Sequence, residues 1–223
     1  MRIIAHCPRP RRGGRLDRAA ALRRALSSGA ERIELDVLEA DGWLLVAHDV
    51  DEDLSEAPSF AECLGAIAAQ RRDLLADVKN AAAAAPLGDA IARAGYANKT
   101  IVSGELTLIQ AVAQHCEATR AWTLPSNDPA VTPAGAGPLG IATPTAKLRV
   151  RRAGAQAIEA RHCEAVSVDR RFVTRGLVDD VHAAGGRVIA WTVDRRSQLR
   201  PLVRLGVDEV VTDDPLGARR AVM

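Results

Sequence analysis

The sequence lacks the cysteine patterns of a zinc-bound or disulfide-linked scaffold. Four cysteines occur in 223 residues, and no two of them form a CxxC pair or another compact cluster. Structural zinc sites and small disulfide frameworks both need such clusters. We therefore exclude these two classes of protein. At 223 residues the chain is long enough to fold around a large buried core instead.

Long apolar runs and an excess of one charge are also missing. No apolar run reaches the length of a membrane span, and the formal net charge is only +2, with the basic residues scattered. This composition predicts no stable membrane insertion and no nucleic-acid partner. The chain opens on the strand-like RIIAH without the features of a signal peptide, so we expect a cytoplasmic protein. The sequence leaves the oligomeric state open.

A regular alternation of short apolar runs and longer helical ones extends along the chain, which is typical of βα units around a parallel sheet. Eight strands are predicted at Ile3–Ala5, Ile33–Val37, Leu74–Val78, Thr100–Ser103, Arg120–Leu124, Ala165–Val168, Val188–Val193 and Glu209–Thr212. Eight helices are predicted at Leu16–Ser27, Phe60–Gln70, Leu87–Ala94, Leu106–Cys116, Ala146–Arg161, Val173–Ala184, Gln198–Leu205 and Gly217–Val222. The pattern predicts an α/β protein, a single-domain (β/α)₈ TIM barrel over residues 1–223.

Two further segments refine this prediction. Trp43–Ala47 is predicted to form a hairpin with the second barrel strand, because Asp41-Gly42 is a strong turn signal. Pro125–Pro144, rich in proline, glycine and alanine, is predicted to be a long loop over the barrel mouth. The rival fold is a doubly wound open sheet, but the first loop, HCPRPRRGGR, lacks the GxGxxG motif that such folds usually carry.

Charged side chains fall at or near the ends of several predicted strands: His6, Glu34, Asp36, His48, Asp77 and Lys79. Glu34 and Asp36 are two residues apart, so they face the same way on a strand, and Asp77 repeats that spacing with Lys79. Several charges on one interior face are costly unless a cation or a hydrogen-bonding partner compensates them. The pattern therefore predicts one divalent cation, flanked by two acid/base histidines. Carboxylate oxygens suit Mg²⁺ or Ca²⁺.

These residues lie in a sequence that resembles the glycerophosphodiester phosphodiesterase family. The similar segments are IIAH, GAERIELDV, DGWLLVAHD, LLADVK, GGRVIAWTVD and GVDEVVTDDP, and they run from the first strand to the last. The resemblance implies a (β/α)₈ barrel that hydrolyses a small-molecule phosphodiester between glycerol and an alcohol with the help of a divalent cation.

The resemblance also implies a role for each matching residue. Glu34, Asp36 and Asp77 would be the metal ligands, and His6 and His48 the acid/base pair. Lys79 would contact a phosphoryl oxygen or the ligand carboxylates, and Trp191 would form an apolar wall for the alcohol.

This chain departs from the family pattern where phosphate and alcohol are recognised. Cys7 stands where the family usually has arginine, and a thiol cannot supply a cationic fork. Leu16-Asp17-Arg18 replaces the family's Glu-Asn-Thr motif. Asp77 is one methylene shorter than the usual glutamate, and the segment after His48-Asp49 is a reduced insertion. The sequence therefore determines the identity of the substrate less well than it determines the type of reaction. Arg9, from the first loop, and Glu105, after the fourth strand, are additional substrate-binding candidates.

Several alternatives stay open at this point. They are a lyase-type phosphodiesterase that stops at a cyclic phosphate, a non-catalytic metal- and phosphate-binding barrel, and an unrelated phosphate-binding barrel such as an isomerase. Asp77 and Lys79 are also compatible with a buried ion pair without a metal. Asp213 and Asp214 are interpreted as caps of the last helix.

Overall fold

Eight parallel strands close into a barrel in the computed structural model of the chain, which describes residues 1–7, 18–51, 53–125, 131 and 142–222. The barrel strands are β1 (Arg2–His6), β2 (Arg32–Ala40), β4 (Asp73–Val78), β5 (Thr100–Gly104), β6 (Thr119–Leu124), β7 (Ala165–Asp169), β8 (Arg187–Trp191) and β9 (Glu209–Thr212). The barrel is closed by β1, which pairs with both β2 and β9. The predicted TIM barrel is confirmed.

Helices follow the strands along the chain and cover the outside of the barrel. They are α1 (Arg18–Ser27), α2 (Phe60–Ala69), α3 (Ala84–Arg93), α4 (Leu106–Val112), α5 (Pro144–Glu159), α6 (Arg175–Ala183), α7 (Arg196–Leu205) and α8 (Pro215–Val222). On β2, Ile33, Leu35 and Val37 belong to the main core between strands and helices. Because side chains alternate along a strand, Glu34 and Asp36 face the barrel interior.

A second, smaller core fills the barrel interior. It is formed by one apolar residue from each of seven strands: Ile4, Leu75, Ile101, Ala121, Ala165, Ile189 and Val211. On the remaining strand, β2, the residue in register with Leu75 is Glu34. The carboxylate of Glu34 thus takes the place of an eighth apolar side chain in this layer, directly below the carboxyl ends of the strands.

The predicted hairpin beyond the second barrel strand is confirmed. Strand β3 (Trp43–Val46) pairs antiparallel with β2 outside the barrel. The turn needs two left-handed residues, which Asp41 (φ 51°) and Gly42 (φ 82°) provide. The tip carries Trp43, whose side chain is exposed. Asn80 follows β4 and is bonded to β2 near the turn of the hairpin, because its side chain accepts from the Glu39 N–H and donates to the Glu39 carbonyl.

Several element boundaries differ from the sequence-based prediction, and backbone hydrogen bonds explain two of these differences. The helix predicted over Leu106–Cys116 ends at Val112, because the chain tightens into turns in which the His115 N–H bonds to the Val112 carbonyl. The strand predicted to reach Val193 ends at Trp191, since the Val193 N–H turns to the Val211 carbonyl on β9. The predicted loop Pro125–Pro144 lies largely outside the described residues. Among the described helices, none is long and apolar enough to cross a membrane.

The end of the barrel opposite the candidate site is occupied by buried charges. Arg32 and Glu209 face each other there with side chains only 5% and 3% exposed, and the Arg32 Nε lies 3.1 Å from the Glu209 Oε2. These two atoms are not aligned for a hydrogen bond, so their attraction is chiefly coulombic. Arg187 and Asp73 add further ion-pair contacts to this pair. Pairing makes the burial of these charges tolerable.

Candidate active site

Three potential metal-ligating side chains meet where β1 ends beside β2. His6 and Glu34 are register partners on the two strands, and Asp36 follows Glu34 by two residues on the same face. One ligand atom from each of the three lies within 4.8 Å of the other two. The His6 Nε2 is 3.6 Å from the Glu34 Oε2. Carboxyl ends of barrel strands are where active sites form in this architecture.

Glu34 is the most deeply buried acid of this group. Burial is the main cause that raises its pKa to about 8, and the charge of Asp36 adds to it, whereas His6 and Lys79 oppose the shift. Its Oε2 is buried without a hydrogen-bond partner among the described residues. A buried carboxylate oxygen left unsatisfied beside a second carboxylate is a costly arrangement that a cation relieves. The residues present therefore fit a hard divalent cation.

Lys79 lies between two of the predicted metal ligands. Its Nζ is 2.6 Å from the Asp36 Oδ1 and also contacts the Asp77 Oδ2. The other oxygen of Asp77 accepts hydrogen bonds from the Ser103 hydroxyl at 2.5 Å and the Thr123 hydroxyl at 3.4 Å. Both carboxylate oxygens of Asp77 thus have protein partners. The buried ion pair between Asp77 and Lys79, one of the alternatives left open by the sequence, is present.

The pKa values of this pair shift in opposite directions. Burial alone would raise the pKa of Asp77, but Lys79 and the hydrogen bond from Ser103 outweigh it and hold the pKa below its usual range. Burial would lower the pKa of Lys79, yet Asp77, Asp36 and Glu34 raise it instead. Lys79 is therefore a fixed positive charge at neutral pH.

The second predicted acid/base histidine lies on the Asp77 side of the site. His48 follows β3, is half-buried, and its charge contributes to lowering the pKa of Asp77. His6 lies 3.6 Å from Glu34, whereas the influence of His48 on this group is electrostatic and acts on Asp77.

Asp213, which the sequence analysis interpreted as a cap of the last helix, contacts His6 instead. The Asp213 Oδ1 lies 2.6 Å from the His6 Nδ1. Burial alone would lower the pKa of His6, but Glu34, Asp213 and Asp36 raise it to about 9. The expectation that both final aspartates cap the last helix is wrong for Asp213, while Asp214 does accept from the Gly217 N–H at the start of α8. Strand alternation was the available signal, since Asp213 follows the interior Val211 by two residues.

The remaining candidates lie at the ends of other barrel strands or outside the described residues. Trp191 is the last residue of β8, is half-buried and packs on the interior core. Glu105 directly follows β5 and precedes α4 without capping it through its side chain. Arg9 lies outside the described residues. Cys7 packs with the main core outside the barrel, and burial raises the pKa of its thiol to about 12, so it is an unreactive packing residue.

Comparison with known proteins agrees with the resemblance found in the sequence. The sequence profile of the Glycerophosphoryl diester phosphodiesterase family matches residues 138–216, which include β7, β8 and β9 with Trp191 and Asp213. No curated protein matches the chain. The predicted family resemblance is confirmed over this C-terminal part by the profile.

Solved structures extend the likeness over the whole barrel. A glycerophosphodiester phosphodiesterase from Parabacteroides distasonis has a TM-score of 0.74 at 17% identity, covering 98% of this chain and 95% of that chain. One from Agrobacterium tumefaciens has a TM-score of 0.72 at 19% identity, covering 99% and 98%. A phosphodiesterase from Oleispira antarctica, solved in complex with its product sn-glycerol-3-phosphate, has a TM-score of 0.68 at 19% identity, covering 100% and 96%. At these identities the likeness establishes a shared fold.

Proposed function

We propose that this protein is a phosphoric diester hydrolase that cleaves a small glycerophosphodiester into glycerol phosphate and an alcohol, with a divalent cation and two histidines. The observation that carries the proposal is the convergence of His6, Glu34 and Asp36 within 4.8 Å at the barrel mouth. The matching family profile and the product-bound structure of a protein with the same fold support the choice of substrate class.

The cation, Mg²⁺ or Ca²⁺, is proposed to be held by Glu34 and Asp36, with Asp77 as the third carboxylate. The unsatisfied Oε2 of Glu34 and the all-oxygen carboxylate set support a hard metal. For Asp77 to bind the cation, one of its oxygens must first release its present partner, which is either the ammonium of Lys79 or a hydroxyl group. A bound cation supplies charge neutralisation for an anionic phosphodiester, which otherwise repels nucleophiles.

The histidines are proposed to move the protons of the reaction. One imidazole removes the proton from the attacking hydroxyl, and the other protonates the oxygen of the departing alcohol as the P–O bond breaks. The nucleophile is first the substrate's own neighbouring hydroxyl, which gives a cyclic phosphate that water then opens. The contact of His6 with Glu34 and the electrostatic influence of His48 on Asp77 support two imidazoles that act on different oxygens.

Lys79 and Trp191 are proposed to recognise the substrate around the reacting phosphorus. The ammonium of Lys79 is held at the mouth by Asp36 and Asp77 and attracts a phosphoryl oxygen. The half-buried indole of Trp191 supplies apolar surface for the alcohol. Arg9 and Glu105 remain proposals for further substrate contacts. The single-domain organisation over residues 1–223, the cytoplasmic location and the absence of a nucleic-acid partner likewise stay predictions of the sequence.

The proposal is tested by incubating the purified protein with glycerophosphocholine, glycerophosphoethanolamine and glycerophosphoglycerol. Reactions contain Mg²⁺, Ca²⁺ or a chelator, and the products are followed by phosphorus NMR. We expect glycerol phosphate to accumulate with a metal and turnover to cease with the chelator. His6→Ala and His48→Ala should each lower kcat by about 10²–10⁴-fold while preserving the circular dichroism spectrum. His115→Ala is the matched control, because His115 pairs with Asp89 on the helical layer away from the mouth.

The same assay separates the alternatives. A cyclic phosphate that persists would identify a lyase-type enzyme. Binding of metal and glycerol phosphate without turnover would identify a binding protein. In that case Cys7→Arg should confer activity, since Cys7 is the position at which this chain lacks the arginine of the family pattern.

A further inference from the structure

The seam that closes the barrel brings an aspartate onto the imidazole of His6. His6 is the last residue of β1, and Asp213 directly follows β9, the strand that pairs with β1 to close the sheet. The Nδ1–Oδ1 distance of 2.6 Å is short for a hydrogen bond between a ring nitrogen and a carboxylate. His6 is mostly buried, with 19% of its side chain exposed.

Asp213 is itself held by the chain around it. Its backbone N–H donates to the Asp194 Oδ1 at 2.9 Å, and the Thr212 hydroxyl donates to the same oxygen at 3.3 Å. The Thr212 hydroxyl in turn accepts from the Asp214 N–H at 3.0 Å. Asp194 thus ties the turn after β8 to the turn after β9 and holds the backbone of Asp213 beside the end of β1.

We propose that Asp213 is a positioning residue for His6, which fixes the plane of the imidazole and keeps a hydrogen on its Nδ1. An ionised carboxylate only accepts hydrogen bonds, so the Nδ1 facing it carries the hydrogen. The Nε2 is then left to face Glu34, 3.6 Å away, and the space in which the proposed reaction takes place. This inference rests on the proposed function, since it assigns the Nε2 of His6 to proton transfer with the substrate.

The adjacent aspartate provides a matched control. Asp214 has the same chemistry and is one residue away, but its Oδ1 accepts from the Gly217 N–H and so caps α8. Asparagine caps helices about as well as aspartate, so Asp214→Asn should preserve both the fold and the orientation of His6.

The kinetic test compares Asp213→Asn with Asp214→Asn in the full chain. The asparagine introduced by Asp213→Asn can donate through its amide group to the His6 Nδ1, which favours the wrong tautomer. We expect kcat to fall by about 10²–10⁴-fold, KM to change by less than about threefold, and the metal affinity measured by calorimetry to stay within about twofold. Asp214→Asn should leave kcat unchanged. A kcat of Asp213→Asn equal to that of wild type would overturn the proposal.

A double substitution shows whether Asp213 acts through His6. In the His6→Ala background, Asp213→Asn should cause no further loss of kcat, because residues that act as one unit are not additive. A second full loss of kcat in this background would show that Asp213 has another role and would contradict the proposal.

A spectroscopic test is independent of turnover. The hydrogen on the His6 Nδ1 should give a low-field proton resonance in the NMR spectrum of the wild-type protein, assigned by its absence in His6→Gln. The resonance should persist in Asp214→Asn and disappear in Asp213→Asn. Its absence from wild type, or its persistence in Asp213→Asn, would overturn the inference. Failure of all phosphodiesterase assays would instead overturn the proposed function, and the resonance would still decide whether Asp213 holds His6.

Discussion

Glu34 and Leu75 are register partners on the neighbouring strands β2 and β4, so a carboxylate stands level with the apolar layer inside the barrel. No folding advantage follows from a buried acid at this position, since its ionised form is costly without a compensating charge. The neighbours of Glu34, namely Asp36 and His6, make it useful as a ligand instead. The barrel thus carries a stability cost at the place where the proposed chemistry occurs.

The first prediction concerns the stabilisation of the protein by metal. Ligands that bind only the folded state raise Tm, and a hundredfold excess over Kd contributes about 2.7 kcal/mol. We expect Mg²⁺ or Ca²⁺ to raise Tm in a thermal melt of the wild-type protein, and Glu34→Gln to remove most of this increase. Glu159→Gln, on the exposed end of α5, is the control and should respond like wild type. An equal response of Glu34→Gln would place the cation elsewhere.

The second prediction concerns the pH dependence of the metal-free protein. Burial opposes the imidazolium of His6, but Glu34 and Asp213 outweigh it and raise its pKa from 6.5 to about 9. A pKa raised by folding contributes stability that is complete below the unfolded value and is lost as the pH rises through the folded one. We expect the free energy of unfolding in urea, with chelator present, to fall by roughly 1–3 kcal/mol between about pH 6.5 and about pH 9.5.

His6→Gln supplies the comparison for this pH dependence. Glutamine does not titrate, so the part of the slope that belongs to the imidazole should vanish. Identical slopes in the variant and the wild type would show that other groups cause the loss of stability.

The third prediction concerns the ion pair at the base of the barrel. Glu209→Ala leaves the buried guanidinium of Arg32 without its nearest partner, and breaking such a pair costs about 3–5 kcal/mol. Asp179→Ala breaks the exposed contact of Asp179 with Arg175, 3.9 Å apart, and should cost less than about 1 kcal/mol. Denaturant unfolding measures both. Comparable losses for the two variants would contradict the assigned burial of the Arg32–Glu209 pair.

The fourth prediction concerns the apolar wall of the site. The chain has three tryptophans, of which Trp43 is exposed, Trp122 is in the main core and Trp191 is at the mouth. Glycerol phosphate or a substrate should change the intrinsic fluorescence of the wild type and of Trp43→Phe, but not that of Trp191→Phe. Trp191→Phe should also raise KM by about tenfold, equivalent to about 1.4 kcal/mol of binding. A fluorescence change that survives in Trp191→Phe would place the substrate away from β8.

The barrel could be predicted from the sequence because its information is local. Each strand and helix has its own apolar period, and the Asp41-Gly42 turn specifies the hairpin by backbone conformation alone. Pairs two residues apart, such as Glu34 and Asp36, also reveal a shared face directly.

The contacts that the sequence analysis missed depend on closure of the barrel. The hydrogen bond between His6 and Asp213 joins residues 207 positions apart, and it exists because β1 pairs with β9. The pairing of Arg32 with Glu209 has the same origin. The hydroxyl partners of Asp77, Ser103 and Thr123, lie on the two strands that follow β4 around the barrel, where only the register determines which side chains meet.

The position of the cation is the central claim, and anomalous scattering measures it directly. Crystals grown with Mn²⁺ in place of Mg²⁺ should give one strong anomalous difference peak at the barrel mouth, about 2.0–2.6 Å from carboxylate oxygens of Glu34 and Asp36. The peak should be absent from crystals of Glu34→Gln. A peak at any other location, or none at these carboxylates at a saturating concentration of Mn²⁺, would contradict the account.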